Sequence, residues 1–113
     1  MVVFNQTRGQ AVASRARRAD TFWTRLQGLM GRRSLDVGEA LIIEPCQGVH
    51  MLFMRFAIDV FHVAADGRVL RIVPNLKPWR LGPVVPDSRF VIELPAGAAL
   101  ATGTREGDIL VCK

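Results

Sequence analysis

Hydrophobic positions along this chain occur mostly in short runs of three to seven residues, separated by turn-forming residues. Runs of this length that are rich in Val, Ile and Phe are typical of β-strands. The pattern predicts strands at residues 2–4, 11–17, 40–43, 49–54, 58–64, 68–73, 89–94 and 109–112. The first two runs are expected to form a hairpin. An Asp66-Gly67 pair separates residues 58–64 from residues 68–73, and this turn sequence predicts a second hairpin.

One segment has a helical period instead. Phe22, Leu26 and Leu29 recur at i, i+4 and i+7, and Asp20 or Thr21 is a suitable N-cap. Many short strands and one short helix near residues 21–30 predict a mainly β fold, either a small β-barrel or a sandwich. At 113 residues and 50% hydrophobic composition, the chain is expected to form a single domain over residues 1–113.

A proline-rich segment interrupts the strands. Residues 74–88 carry four prolines and Trp79, which predicts a long ordered loop held over the site by its tryptophan.

The charge of the chain is uneven. The net charge is +5, but residues 1–33 alone contain seven arginines against one acid. Such a cationic end is compatible with nucleic acid, an anionic membrane surface or an acidic protein as partner. The bases are interrupted by apolar residues, Tyr is absent and no nucleic-acid motif is present, which argues against nucleic acid.

The chain carries no recognisable export or membrane signal. Residues 1–6 lack a basic region followed by an apolar stretch, and no apolar run approaches the ~20 residues of a membrane span. We therefore expect a cytoplasmic protein with no membrane span, in which Cys46 and Cys112 are reduced thiols.

Residues 46–54 concentrate the candidate metal chemistry. Cys46, His50, Met51 and Met54 offer sulfur and imidazole ligands of the kind that bind copper or zinc. In an extended chain Cys46 and His50 would lie about 13 Å apart, so a shared ion requires a turn at residues 47–48. The alternative is that these sulfur side chains pack in the core, and we expect no cofactor.

The same turn would allow catalysis. His50 could lower the pKa of the Cys46 thiol and produce a nucleophilic thiolate, as in a small hydrolase or thiol-transfer enzyme.

Three acids lie within or beside apolar strands, where an isolated carboxylate is costly. Arg25 is therefore expected to pair with Asp59 or Glu93, and Asp108 to accept hydrogen bonds from turn amides. Alternatively, Arg25 or Arg32 could bind an anionic ligand through its planar guanidinium group.

His62 alternates with Phe61 in its strand. Because Phe61 is expected to face the core, His62 is expected at solvent or at the rim of a pocket.

Four blocks of the sequence resemble domain-of-unknown-function family 192. They run from Arg25 to Arg32, from Ile58 to Phe61, from Glu93 to Gly97 and from Gly103 to Asp108. Family members have these blocks in the same order, although many place a Trp-Met pair where this chain has His50-Met51. The resemblance implies a compact, mainly β domain and brings no established reaction.

We predict a non-enzymatic domain that binds a small ligand or a protein partner. The alternatives are a small enzyme that uses Cys46 and His50, and a basic adaptor for nucleic acid or an acidic partner. The candidate ligand-binding residues are Arg25, Arg32, His50, Met54, Asp59 and Trp79.

Overall fold

Eight strands and two short helices make up the chain. A computed structural model describes the backbone of residues 1–113 and every side chain except those of Phe22, Trp23 and Leu26. The elements are β1 (Val3–Asn5), β2 (Gln10–Ala13), β3 (Arg15–Ala19), α1 (Phe22–Gln27), β4 (Glu39–Ile43), β5 (Ile58–Val63), β6 (Val69–Leu76), β7 (Phe90–Pro95), α2 (Ala98–Thr102) and β8 (Leu110–Cys112).

The strands form two sheets. The smaller sheet has the order β2-β1-β8 and is antiparallel, and the larger has the order β3-β4-β7-β5-β6. Only β3 and β4 run parallel in the larger sheet, with α1 in the connection between them. Because the larger sheet ends at β3 on one side and β6 on the other, the fold is sandwich-like and not a closed barrel. The predicted mainly β class is confirmed.

The larger sheet is buried on both faces, because alternate residues of its strands belong to two different hydrophobic clusters. On β4, Ile42 packs in the cluster shared with the smaller sheet, which includes Val3 and Leu110. Its neighbours Leu41 and Ile43 belong to the second cluster, on the opposite face. That second cluster is completed by residues from connecting segments: Leu29, Leu35, Met51 and Met54.

The second predicted hairpin is confirmed, and the first is confirmed only in part. Residues 11–17 are not one strand: β2 ends at Ala13, and Arg15–Ala19 form β3, which pairs with β4 in the larger sheet. β1 pairs with β2, and β5 pairs with β6 around the turn at Gly67. Gly67 has φ 92°, and a Cβ atom there would collide with the backbone of Leu110. Glycine is therefore required both for the turn and for the approach of β8.

The predicted helix is confirmed as α1, and its N-cap is Thr21. The Thr21 side chain accepts a hydrogen bond from the Thr24 amide, and the Thr24 hydroxyl accepts one from the Thr21 amide. This reciprocal pair is a capping box built from two threonines. The predicted apolar stripe cannot be followed along the helix, because Phe22 and Leu26 lie outside the described side chains.

Two sequence expectations about secondary structure are wrong. Residues 49–54 are not a strand: only His50 forms a bridge, to Leu81, and the segment then turns. α2 was not predicted, because five residues are too few for a helical period and its N-cap, Gly97, has no capping side chain.

The prediction that the His62 side chain lies at solvent or at the rim of a pocket is also wrong. His62 is 1% exposed and lies 3.4 Å from the Ser88 hydroxyl, because β5 is an inner strand covered on both faces. Burial, with Arg71 as a lesser cause, lowers the pKa of His62.

Neither helix of the described backbone has the length and apolar character needed to cross a bilayer.

Candidate functional site

A cavity of about 260 Å³ lies between the second cluster face of the larger sheet and the end of α1. Its walls come from α1, the residues that follow it, β4, the loop after β4, and β7. The described lining residues are Arg25, Gln27, Gly28, Leu29, Met30, Ile43, Pro45, Cys46, Gly48, Val49, His50, Met54 and Glu93.

Glu93 is the buried acid of this cavity. In the sheet its direct neighbours are Leu41 on β4 and Val60 on β5, so its side chain shares the face of the second cluster. The residue is 4% exposed, and its Oε1 atom has no hydrogen-bond partner among the described groups. Burial raises the pKa of Glu93 to about 7. A carboxyl group with such a pKa can gain or lose a proton near neutrality.

Gly28 lies close to this carboxyl group. It ends α1 with φ 49°, and a Cβ atom built on it would be 3.8 Å from Glu93 Oε1. The Gly-Leu-Met block after the helix thus forms the wall of the cavity that faces the acid.

Arg25 does not pair with a buried acid, contrary to expectation. Its guanidinium donates to the Asp20 carbonyl at 3.1 Å, and no ion pair with Asp59 or Glu93 is present among the described side chains. Arg25 therefore stays half-buried at the cavity.

Cys46 and His50 both line the cavity, but no hydrogen bond joins these two described side chains. The chain turns at Gln47-Gly48, and the Cys46 thiol donates to the Gly48 carbonyl at 3.0 Å. His50 Nδ1 instead accepts a hydrogen bond from the Leu52 amide at 3.3 Å. Burial raises the pKa of Cys46. The protonated thiol is therefore the favoured form at neutral pH.

We expect Cys46 to react slowly with iodoacetamide. In a Cys112→Ser variant, the alkylation rate at pH 7.5 should be several-fold below that of glutathione, because the thiolate is the reacting species. The rate should be followed by mass spectrometry from pH 7 to 10. Alkylation as fast as that of glutathione would instead indicate an activated thiol and favour the enzyme alternative.

The metal candidates are only partly brought together. Cys46, His50 and Met54 line one cavity, whereas Met51 is fully buried in the second cluster. Among the described side chains, no group of three or more His, Cys, Asp or Glu residues could hold a metal ion. A copper or zinc site that relies on methionine sulfur stays a prediction.

Of the ligand-binding candidates, Arg25, His50 and Met54 line the cavity, and the other three lie elsewhere. Arg32 pairs with Glu39 at 3.3 Å. Trp79 does not cover the site as expected: it is 60% exposed, and its ring centroid lies 5.0 Å from that of Phe53.

Asp59 is a structural acid. It is 1% exposed and accepts hydrogen bonds from three backbone amides. The donors are Asn75 at 2.9 Å, Gly97 at 3.2 Å and Ala99 at 2.9 Å. The carboxylate thereby ties β5 to β6 and to the start of α2.

Asp108 accepts a turn amide, as predicted, at 2.9 Å from Arg105. It also accepts hydrogen bonds from Asn5 and Arg8. Burial alone would raise the pKa of Asp108, but these hydrogen bonds outweigh it and lower the pKa to about 2.

Glu93 is the site residue that the ligand-binding prediction missed. Its signal in the sequence is a lone glutamate inside the apolar run at residues 90–94. That run predicts burial, but it does not tell whether a partner lies opposite the carboxyl group.

The fold and site define a two-sheet β domain with a buried carboxyl group beside a small, largely apolar cavity. The chain matches the family DUF192, described as "Uncharacterized ACR", over residues 3–112 and belongs to it. The resemblance to this family is thus confirmed.

Relatives and a solved structure agree with this assignment. A UPF0127 protein of Pyrococcus furiosus is 33% identical over 113 residues, which cover 96% of this chain and 95% of the relative. A UPF0127 protein of Thermococcus kodakarensis is 31% identical and is matched over 71% of its length, with 96% of this chain covered. A crystal structure of a protein of unknown function from Novosphingobium aromaticivorans superposes with TM-score 0.86 at 26% identity, covering 98% of this chain and 83% of that one. None of these descriptions gives a function.

Proposed function

We propose that this domain binds a small, mainly apolar molecule in the Glu93 cavity, and that the molecule donates a hydrogen bond to Glu93. The supporting observation is the buried Oε1 atom, which has no partner among the described groups. A buried polar atom left without a hydrogen bond destabilises a fold by about 1–3 kcal/mol. A ligand that supplies the missing donor removes this cost, which strengthens its binding.

The size and walls of the cavity suit such a ligand. Leu29, Ile43, Val49 and Met54 provide apolar contacts. A dry apolar cavity of roughly 150 Å³ holds a benzene molecule. The cavity described here, of about 260 Å³, has room for a ring that carries a short polar arm.

The charges around the cavity narrow the ligand class further. With a pKa of about 7, Glu93 is largely ionised at pH 8 and then attracts an amine cation more strongly than a neutral hydroxyl group. Arg25, which uses one guanidinium nitrogen on the Asp20 carbonyl, offers further donors to an acceptor on the outer end of the ligand. We also propose that the protein acts in the cytoplasm, the location that the sequence predicts.

We expect benzylamine to bind in the cavity at pH 8. It should shift the backbone amide resonances of Gly28, Cys46 and Gly48 saturably, with a dissociation constant of roughly 1 mM. Benzyl alcohol should bind more weakly, and benzyl methyl ether, which has no donor, should leave these resonances in place. The measurement is a nitrogen-15 NMR titration of the full chain with each of the three compounds.

Two variants serve as controls for this titration. Glu93→Leu should abolish the shifts caused by benzylamine, whereas Glu106→Leu, which replaces an exposed glutamate outside the cavity, should preserve them. The proposal is wrong if the ether shifts the three amides as strongly as the amine, or if no probe shifts them. Unchanged shifts in Glu93→Leu would also contradict it.

A further inference from the structure

Exposed apolar side chains are concentrated on two loops. Among the described side chains, nine large hydrophobic residues are exposed, and five of them lie on residues 52–53 and 79–84. We call these five the apolar loop surface. Its members, with their exposed fractions, are Leu52 (38%), Phe53 (65%), Trp79 (60%), Leu81 (75%) and Val84 (70%).

The two loops are joined into one unit by backbone hydrogen bonds. The Met51 amide donates to the Arg80 carbonyl at 2.8 Å, and the Trp79 amide donates to the Met51 carbonyl at 2.8 Å. Further along, the Gly82 amide donates to the Val49 carbonyl at 2.9 Å. Backbone hydrogen bonds therefore join the two loops into one unit, and this unit carries the apolar loop surface.

The two aromatic residues have an unusual backbone. Phe53 has φ 64° and Trp79 has φ 65°, in the left-handed region that bulky residues rarely occupy. Such a backbone conformation is strained and persists only where its surroundings hold it. Here the strained backbone leaves both rings in contact with each other and exposed.

Positive charge surrounds this surface. Arg55, Lys77 and Arg80 are exposed on the same loops. Residues 45–58 and 67–86 contain no acidic residue, although the whole chain has ten. The described ion pairs use four other arginines. The loops thus combine exposed aromatic and aliphatic side chains with cations that no described acid neutralises.

We propose that the apolar loop surface binds reversibly to bilayers that contain anionic phospholipids. Aromatic side chains favour the bilayer interface, where the ring meets acyl chains and headgroups. Neighbouring Lys and Arg side chains are attracted to anionic headgroups. Insertion of Phe53 and Trp79 with Arg55, Lys77 and Arg80 at headgroup level satisfies both preferences.

Two other partners fit less well. A standard protein interface uses about 20–30 residues on each side, whereas the apolar loop surface together with Arg55, Lys77 and Arg80 makes up eight. Proteins that bind single-stranded nucleic acid stack successive bases on aromatic side chains placed along a positively charged groove. Phe53 and Trp79 pack against each other at 58°, and the other three members are aliphatic.

The proposal is independent of ligand binding. Although Gly48, Val49 and His50 belong to the first loop and also line the cavity, none of the five surface residues does. Membrane binding can therefore be tested without reference to Glu93.

Sedimentation with vesicles tests the proposal on the full chain. Vesicles of equal parts phosphatidylglycerol and phosphatidylcholine should bind the protein in 0.1 M NaCl at least tenfold more strongly than pure phosphatidylcholine vesicles, since several cations contribute. The Phe53→Ser/Trp79→Ser variant should lose about tenfold in binding, because the inserted apolar area is removed. The matched control Leu100→Ser, which replaces an exposed residue on α2, should bind like the unmodified protein.

A second pair of variants separates the surface from overall charge. Lys77→Glu/Arg80→Glu should reduce binding to the anionic vesicles at least tenfold, whereas Arg17→Glu/Arg33→Glu, with the same change in net charge, should reduce it much less. Glu93→Leu should bind vesicles like the unmodified protein, even if it no longer binds benzylamine. Circular dichroism verifies that each variant is folded.

Three results would overturn the proposal. The first is a lack of binding to either vesicle, and the second is equal binding by the Phe53→Ser/Trp79→Ser variant. The third is binding of a 15-nucleotide oligothymidylate that depends on Trp79 and is tighter than vesicle binding, which would assign the surface to single-stranded nucleic acid.

Discussion

Replacing Asp59 with alanine is expected to lower the free energy of unfolding by about 3 kcal/mol or more, the largest effect of any single substitution considered for this domain. The change leaves the amides of Asn75, Gly97 and Ala99 without their acceptor. A hydrogen bond to a charged group contributes about 1.5–3 kcal/mol. Because the lost bonds join β5 to β6 and to α2, the variant should unfold at much lower urea concentration.

Urea denaturation followed by circular dichroism measures this effect. Asp59→Asn should be less damaging, since an amide oxygen can still accept from two of the three donors. The matched control is Asp87→Ala, which removes an exposed aspartate and should change stability by less than about 0.5 kcal/mol. A loss below about 1 kcal/mol for Asp59→Ala would show that the three amides find other acceptors, and the assigned role would be wrong.

The second large effect is a dependence of stability on pH that originates at Glu93. Its pKa is about 7 in the folded protein, against 4.5 for an ordinary glutamate. The folded state therefore holds a proton that the unfolded state has already lost between these two pH values. The contribution is fully present below pH 4.5 and is lost as pH rises through 7, which amounts to about 3 kcal/mol.

The measurement compares urea denaturation of the unmodified protein and of Glu93→Gln from pH 4 to 8. Subtracting the two curves is necessary because His62, whose pKa is lowered by burial, shifts stability in the opposite direction below pH 6.5. Asp108 acts in a separate window, since its contribution is lost only as pH falls from 3.8 toward 2. Parallel curves for the two proteins would show that Glu93 does not titrate near neutrality.

The elements that were predicted correctly are those whose sequence signals involve residues close together in the chain. The Asp66-Gly67 turn places β5 against β6, and Thr21 caps α1, because both signals involve residues only a few positions apart. Residues 49–54 have a strand-like composition, but they fill a gap beside the sheet instead of pairing along it. Composition cannot distinguish those two outcomes, since both bury apolar side chains.

The roles of the buried acids could not be predicted, because they depend on which strands become neighbours. Asp59 and Glu93 both lie in apolar runs, and Arg25 is the partner expected for each of them from the sequence. In the fold, Asp59 meets three amides, whereas Glu93 meets Leu41 and Val60 across the sheet. The order of the strands and the position of α2 thus make one carboxyl group structural and leave the other beside a cavity.

The parallel pairing of β3 with β4 has a consequence for the release of a molecule from the cavity. These strands pair directly from Arg15 with Glu39 to Ala19 with Ile43, and α1 is a six-residue helix within the connection formed by residues 20–38. Helices of fewer than about 12–15 residues are marginal on their own. Loss of the α1 structure would remove one wall of the cavity without breaking a rung of the sheet, so release of a bound molecule would not require global unfolding.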